Sequence, residues 1–181
     1  MLKEMELRNR RCDIYIYGCE ALFSAISNLV ILVVCGIMTG EIASAFLFLF
    51  IFVLMRKYCG GYHAQTHLKC NFVFALTTLA ILLIVKNNFL MDSFILIISL
   101  ITSDIIIFWL APIVNVNKPL EDFEIIRFRK AARTFTIIFT IIAVLLIYIY
   151  KAVSIIIALT LLSVSIAMLY AKIFTKGDTK K

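Results

Sequence analysis

Histidine, proline and glycine are scarce in this chain, with two, two and six residues among 181. So few prolines and glycines leave no low-complexity linker, and no internal repeat is visible, so the economical reading is one domain over residues 1–181. The scarcity of histidine confines any imidazole chemistry to His63 and His67. Cysteine is present but unpaired in pattern. The five cysteines, at 12, 19, 35, 59 and 70, are odd in number and form no CxxC, which argues against a disulfide framework. Charge is also thin, at 16% of residues, and it is unevenly signed, with 18 Lys and Arg against 11 Asp and Glu.

What fills the remainder is hydrocarbon. The hydrophobic set makes up 63% of the chain, where a soluble domain has roughly 45–50%, and the mean hydropathy is +1.04. That excess must face lipid. The pattern predicts an all-α, polytopic membrane protein of six apolar segments, at about 15–38, 42–55, 72–85, 94–111, 134–150 and 152–171. The charged opening MLKEMELRNRR, followed by an apolar run too long for an h-region, predicts no cleavable signal peptide. Segments two and three are short. At ~1.5 Å per residue, fourteen residues fall short of the ~30 Å hydrocarbon core. Either both helices run on into the polar stretch between them, or that stretch is partly re-entrant, which requires protein or a water-filled cavity around it.

Orientation follows from the basic residues. Sixteen of the eighteen fall on one side of a six-span layout, and Lys86 and Lys151 alone fall on the other. The positive-inside rule then puts both termini and the 56–70 stretch in the cytoplasm. The same asymmetry accounts for the +7 net charge without a nucleic-acid partner. Two acidic residues interrupt the apolar runs, Glu20 in segment one and Asp104 in segment four. An ionisable group there marks an interior or a functional site. Asp104 is expected to turn inward toward Ser99, Thr102 or Ser103, while Glu20 either snorkels at the inner interface or works within the bundle.

The stretch RKYCGGYHAQTHLKC, residues 56–70, holds both histidines and two of the cysteines. On a continuous helix His67 and Cys70, at i and i+3, are neighbours with Cβ atoms ~5–6 Å apart. His63 and Cys70, at i and i+7, share a face but lie ~10.5 Å apart along the axis. A thiolate–imidazole pair of those two therefore needs a break in the helix between them. His63, His67 and Cys70 are also a candidate ligand set for one metal, although Ala64 stands where an HExxH motif has its glutamate. The stretch reads equally as a plain polar loop. Cys59, four residues before His63, is a further candidate partner by spacing.

GGYHAQTHLKC, set between apolar segments, resembles the accessory gene regulator B (AgrB) family of Gram-positive quorum-sensing systems. The likeness extends to Arg56, to YGCE at 17–20 and to APIVNVNKPL at 111–120, with Pro112, Asn117, Lys118 and Pro119. The resemblance implies a multi-pass cell-membrane cysteine endopeptidase that cleaves an AgrD-like precursor peptide. It then cyclises the peptide through an acyl-enzyme thioester to a thiolactone or lactone. It implies Cys70 as nucleophile and His63 as base, no cofactor and no metal, the lipid bilayer as setting, and compatibility with a homodimer. Gln65 or Glu20 is a candidate to orient the imidazole, and the backbone at Gly60 and Gly61 a candidate oxyanion site. Two alternatives remain open. One is a metal-dependent membrane hydrolase using His63, His67 and Cys70, and the other a non-enzymatic peptide transporter built on Glu20 and Asp104.

Overall fold

The computed structural model describes residues 22–23, 25–60, 67–87, 92–113 and 122–175. Among them are six helices: α1 (Ala25–Thr39), α2 (Ile42–Cys59), α3 (His67–Lys86), α4 (Ser93–Leu110), α5 (Asp122–Leu146) and α6 (Lys151–Thr175). Three are long and apolar enough to cross a membrane: α2, α4 and α6, while α1 and α3 carry shorter apolar stretches. The chain is a membrane protein of helical hairpins.

Helix boundaries differ from the hydropathy segments in an instructive way. The two short segments lengthen toward each other, so α2 has 18 residues and α3 has 20. Helical backbone thus takes up Arg56–Cys59 on one side and His67–Cys70 on the other. α5 begins at Asp122, twelve residues ahead of the apolar run at 134. Its first turns, DFEIIRFRK, carry too much charge to register as a span but are sound helix formers.

Local chemistry sets the turns. α1 closes in a Schellman motif, with Glu41 N–H donating to the Gly36 carbonyl at 2.9 Å and Gly40 N–H to that of Ile37 at 3.2 Å. Gly40 takes the left-handed φ of 78° that the motif demands. The α5–α6 hairpin turns through 147–149 and is pinned where Ser154 Oγ donates to the Ala143 carbonyl at 2.9 Å.

α6 is the axis of the bundle and packs against α2, α3, α4 and α5. Ser154 and Ile155 through Ala158 are enclosed consecutively, which no amphipathic surface helix permits. α4 is peripheral and turns Phe94, Ile98, Ile101 and Ile105 outward. Lipid tails are as apolar as these side chains, so packing, not burial from water, holds the helices together. Polar groups inside the bundle are answered locally. Thr78, Thr136 and Thr160 each donate to the carbonyl four residues back, at 2.8, 2.8 and 2.6 Å.

The ends of the bundle are chemically distinct. One gathers Arg56, Lys57, Arg127, Arg129, Lys130, Arg133 and Lys172, and the other holds Lys86 and Lys151. Exposed Trp109 marks the basic end and exposed Tyr148 and Tyr150 the opposite one, the placement of interfacial aromatics.

Candidate active site

The basic end is organised around the close of α2. Gly60 caps the helix at φ 71°, its N–H donating to the Arg56 carbonyl at 3.1 Å. It also forms an isolated parallel bridge with Ile113, whose N–H donates to the Cys59 carbonyl at 2.9 Å. The approach leaves no room for a side chain, because a Cβ on Gly60 would collide with the Ile113 carbonyl oxygen. Two stretches that the sequence marked separately, the Gly-Gly pair and APIVNVNKPL, are therefore joined backbone to backbone.

α5 braces the other partner in that contact. α4 ends where Ala111 N–H donates to the Ile107 carbonyl at 2.9 Å. The next carbonyl, that of Phe108, accepts from Arg133 Nη2 at 2.9 Å, and the guanidinium lies 5.4 Å from the centre of the Phe108 ring. Arg133 thus satisfies a carbonyl that the end of α4 leaves open. Three residues on, Ile113 meets Gly60 after the cis Ala111–Pro112 peptide. Tyr58 ties α2 to α5, edge-on to Phe128 at 5.8 Å and stacked on Phe135 at 5.3 Å.

The α2–α3 register is set by three phenylalanines. Phe74 lies 5.9 Å from Phe48 and 5.5 Å from Phe52, centre to centre. The helices run antiparallel, so one turn toward the polar stretch from Phe52 and Phe74 stand Arg56 and Cys70 at a common level. The Arg56 guanidinium lies over the Phe52 ring at 5.6 Å.

Of the predicted site residues, Gly60 is the one fully described. Cys70 belongs to the first turn of α3 with His67; their side chains lie outside the described residues. So do Glu20, Gly61, His63 and Gln65, and with them the His63–Cys70 pair. Cys59 is completely enclosed, at 0% exposure, so no substrate reaches its thiol in this conformation. Among the described residues no cluster of metal-ligating side chains occurs.

Asp104 turns toward a polar partner within the bundle as expected, but the partner is a different one. Its Oδ1 accepts from Thr140 on α5 at 2.9 Å, while Ser99, Thr102 and Ser103 donate to carbonyls of their own helix at 2.8, 2.8 and 2.7 Å. A hydroxyl on the same helix has a carbonyl three or four residues back within reach, which leaves the carboxylate to find its donor on the neighbouring helix.

Two residues went unnoticed in the sequence. Asn28 Oδ1 and Asn71 Oδ1 are closed to solvent and have no hydrogen-bond partner among the described residues, a condition that costs about 1–3 kcal/mol per group where no other donor answers it. Asn71 directly follows Cys70. Its signal was available in outline, as an amide at the head of an apolar run.

The accessory gene regulator B family model matches residues 1–169. The chain belongs to the AgrB family. AgrB-like protein 2 of Clostridium perfringens strain 13 is 27% identical over 154 residues, covering 81% of this chain and 72% of the relative. An AgrB-like protein of C. perfringens strain SM101 is 28% identical over 124 residues, covering 65% of this chain and 58% of the relative. Protein FsrB of Enterococcus faecalis strain OG1RF is 26% identical over 106 residues, covering 58% and 44%. No solved structure matches. The AgrB match takes in RKYCGGYHAQTHLKC and APIVNVNKPL alike, the two stretches that the Gly60–Ile113 bridge joins.

Proposed function

We propose that this AgrB-family protein is a membrane-embedded cysteine endopeptidase and peptide cyclase of quorum sensing, acting on an AgrD-like precursor. Cys70 is the nucleophile and His63 its base. The carrying observation is the start of α3 at His67. It sets Cys70 in a first helical turn, where unsatisfied N–H groups favour developing negative charge.

The imidazole takes the Cys70 proton, and the thiolate attacks a peptide carbonyl of the precursor. Collapse of the tetrahedral adduct breaks the C–N bond, releases the C-terminal tail with the proton on its new amine, and leaves an S-acyl enzyme. An internal thiol or hydroxyl of the retained peptide then attacks that thioester. The ring closes and Cys70 is regained as a thiol. Transfer from thioester to thiol is nearly isoenergetic, so closure depends on holding the inner nucleophile near the acyl group and on keeping water away. The Gly60 and Gly61 backbone is the candidate oxyanion site, and Gln65 or Glu20 the candidate orienting group. In this reading the chain is multi-pass in the cell membrane of a Gram-positive bacterium, with both termini and the site inside. It is compatible with a homodimer.

The test is co-expression with the cognate precursor. Cys70→Ala and His63→Ala should each abolish cleavage while the protein remains in the membrane, and His67→Ala and Cys59→Ala should leave most of it. A dead His67→Ala beside an active His63→Ala would move the base to His67. Peptide export that survives Cys70→Ala would favour a transporter instead.

A further inference from the structure

Asn71 is the first residue of α3 beyond Cys70, and it lies on the inward stripe of that helix. Phe74, Thr78, Ile81 and Val85 are buried at helical spacing, and three residues back from Phe74 the same stripe reaches Asn71. The register fixed by Phe52 and Phe74 sets it level with Met55 of α2, itself fully buried.

Its isolation is unlike that of its polar neighbours. Thr77 and Thr78 donate to the Val73 and Phe74 carbonyls, each at 2.8 Å. A hydroxyl can always satisfy itself in this way, but a carbonyl-type oxygen needs a donor, and the N–H groups within a helix are already committed. Among the described residues none donates to Asn71 Oδ1. A bound peptide would bring such an N–H to it.

Resting on the proteolytic reading above, we propose that Asn71 Oδ1 accepts a main-chain N–H of the precursor peptide beside the bond that Cys70 attacks. Asn71 is then a substrate-positioning residue. An extended peptide offers an N–H at every residue, and main-chain hydrogen bonds of this kind are a general mode of peptide capture. Only the oxygen is sealed. The residue as a whole is half-buried, so its side chain is not wholly enclosed.

The experiment uses the full chain in liposomes and a synthetic cognate AgrD-type precursor, with an amphipathic start, a central Cys or Ser and an acidic tail. Each backbone N–H near the cleavage point is replaced in turn by N-methyl. With the native protein, one position should raise KM about tenfold, the loss of one hydrogen bond. Asn71→Ala should raise KM for the unmodified precursor by about the same factor, leave kcat within about twofold, and show no further loss at that position. Asn71→Ser, whose hydroxyl bonds back to its own helix as Thr77 does, should match it. Neither variant should melt much below the native protein in detergent, because no hydrogen bond to Oδ1 among the described residues is removed.

An N-methyl penalty that persists in both variants, or a lowered melting temperature in both, overturns the proposal. So does a fall in kcat with a displaced acidic limb of the pH–rate profile, which would give the oxygen to the imidazole. Cleavage surviving Cys70→Ala would instead remove the proteolytic reading, and this inference with it. Native KM in the Asn71 variants beside a dead Cys70→Ala removes the inference alone.

Discussion

The carbonyl oxygen of Ile113 occupies the space in which a side chain on Gly60 would begin. The bridge between these residues links the end of α2 to the segment after α4 across more than fifty residues of sequence. It brings two stretches of family likeness into one place.

Gly60→Ala tests that closeness. Alanine at φ 71° is strained by roughly 1–2 kcal/mol, and the collision with Ile113 adds to it. The variant should melt lower in detergent and lose most precursor cleavage. Native melting and activity would mean that the bridge opens at little cost.

Arg133→Met removes the donor to the Phe108 carbonyl and leaves the end of α4 to solvent. The site is exposed, so the expected destabilisation is about 1 kcal/mol, below the usual range for a charge-assisted bond. Arg133→Lys should recover only part of it, because an ammonium cannot stack flat on the Phe108 ring. Thermal melts of the three proteins decide the matter.

Thiol accessibility separates the cysteines. Cys59 at 0% and Cys35 at 8% exposure should resist a membrane-permeant maleimide until the protein unfolds. Single-cysteine versions retaining one or the other, labelled before and after denaturation and read by mass spectrometry, provide the check. Rapid labelling of native Cys59 would contradict its enclosure between α2 and its neighbours.

Thr140→Val should cost about 1–3 kcal/mol, because it leaves Asp104 half-buried without its donor. Asp104→Asn keeps an acceptor oxygen and should be much milder. If both variants melted alike, the bond would hold little of the α4–α5 contact.

The sequence exposed what repeats along a helix and hid what crosses between helices. Six apolar runs were legible because lipid exposure demands them, and six helices stand where they lie. Their ends were less legible. Arg56, Lys57 and the DFEIIRFRK turns of α5 are helical but charged, so hydropathy stops before the helix does. Cys59 was legible only as a spacing, which offered it to His63 without revealing its burial. The Gly60–Ile113 bridge, the Asp104–Thr140 bond and the Arg133 brace each join residues at least 25 positions apart. Single-sequence periodicity is blind to that range. Asn71 is the instructive omission, since the residue was in plain view and only its unanswered oxygen makes it a candidate.

The length of α5 bears on where in the bilayer the reaction would occur. Twenty-five helical residues extend ~37 Å, past the ~30 Å hydrocarbon slab. Its opening turns carry Arg127, Arg129 and Lys130, cations suited to lipid phosphates, and the ring contacts of Tyr58 with Phe128 and Phe135 hold the end of α2 beside them. The first turn of α3 shares that level through Arg56. On the proposed reading, a precursor lying flat on the membrane surface would meet Cys70 at its own depth, so cutting it would require sideways travel along the surface and no descent into the oil.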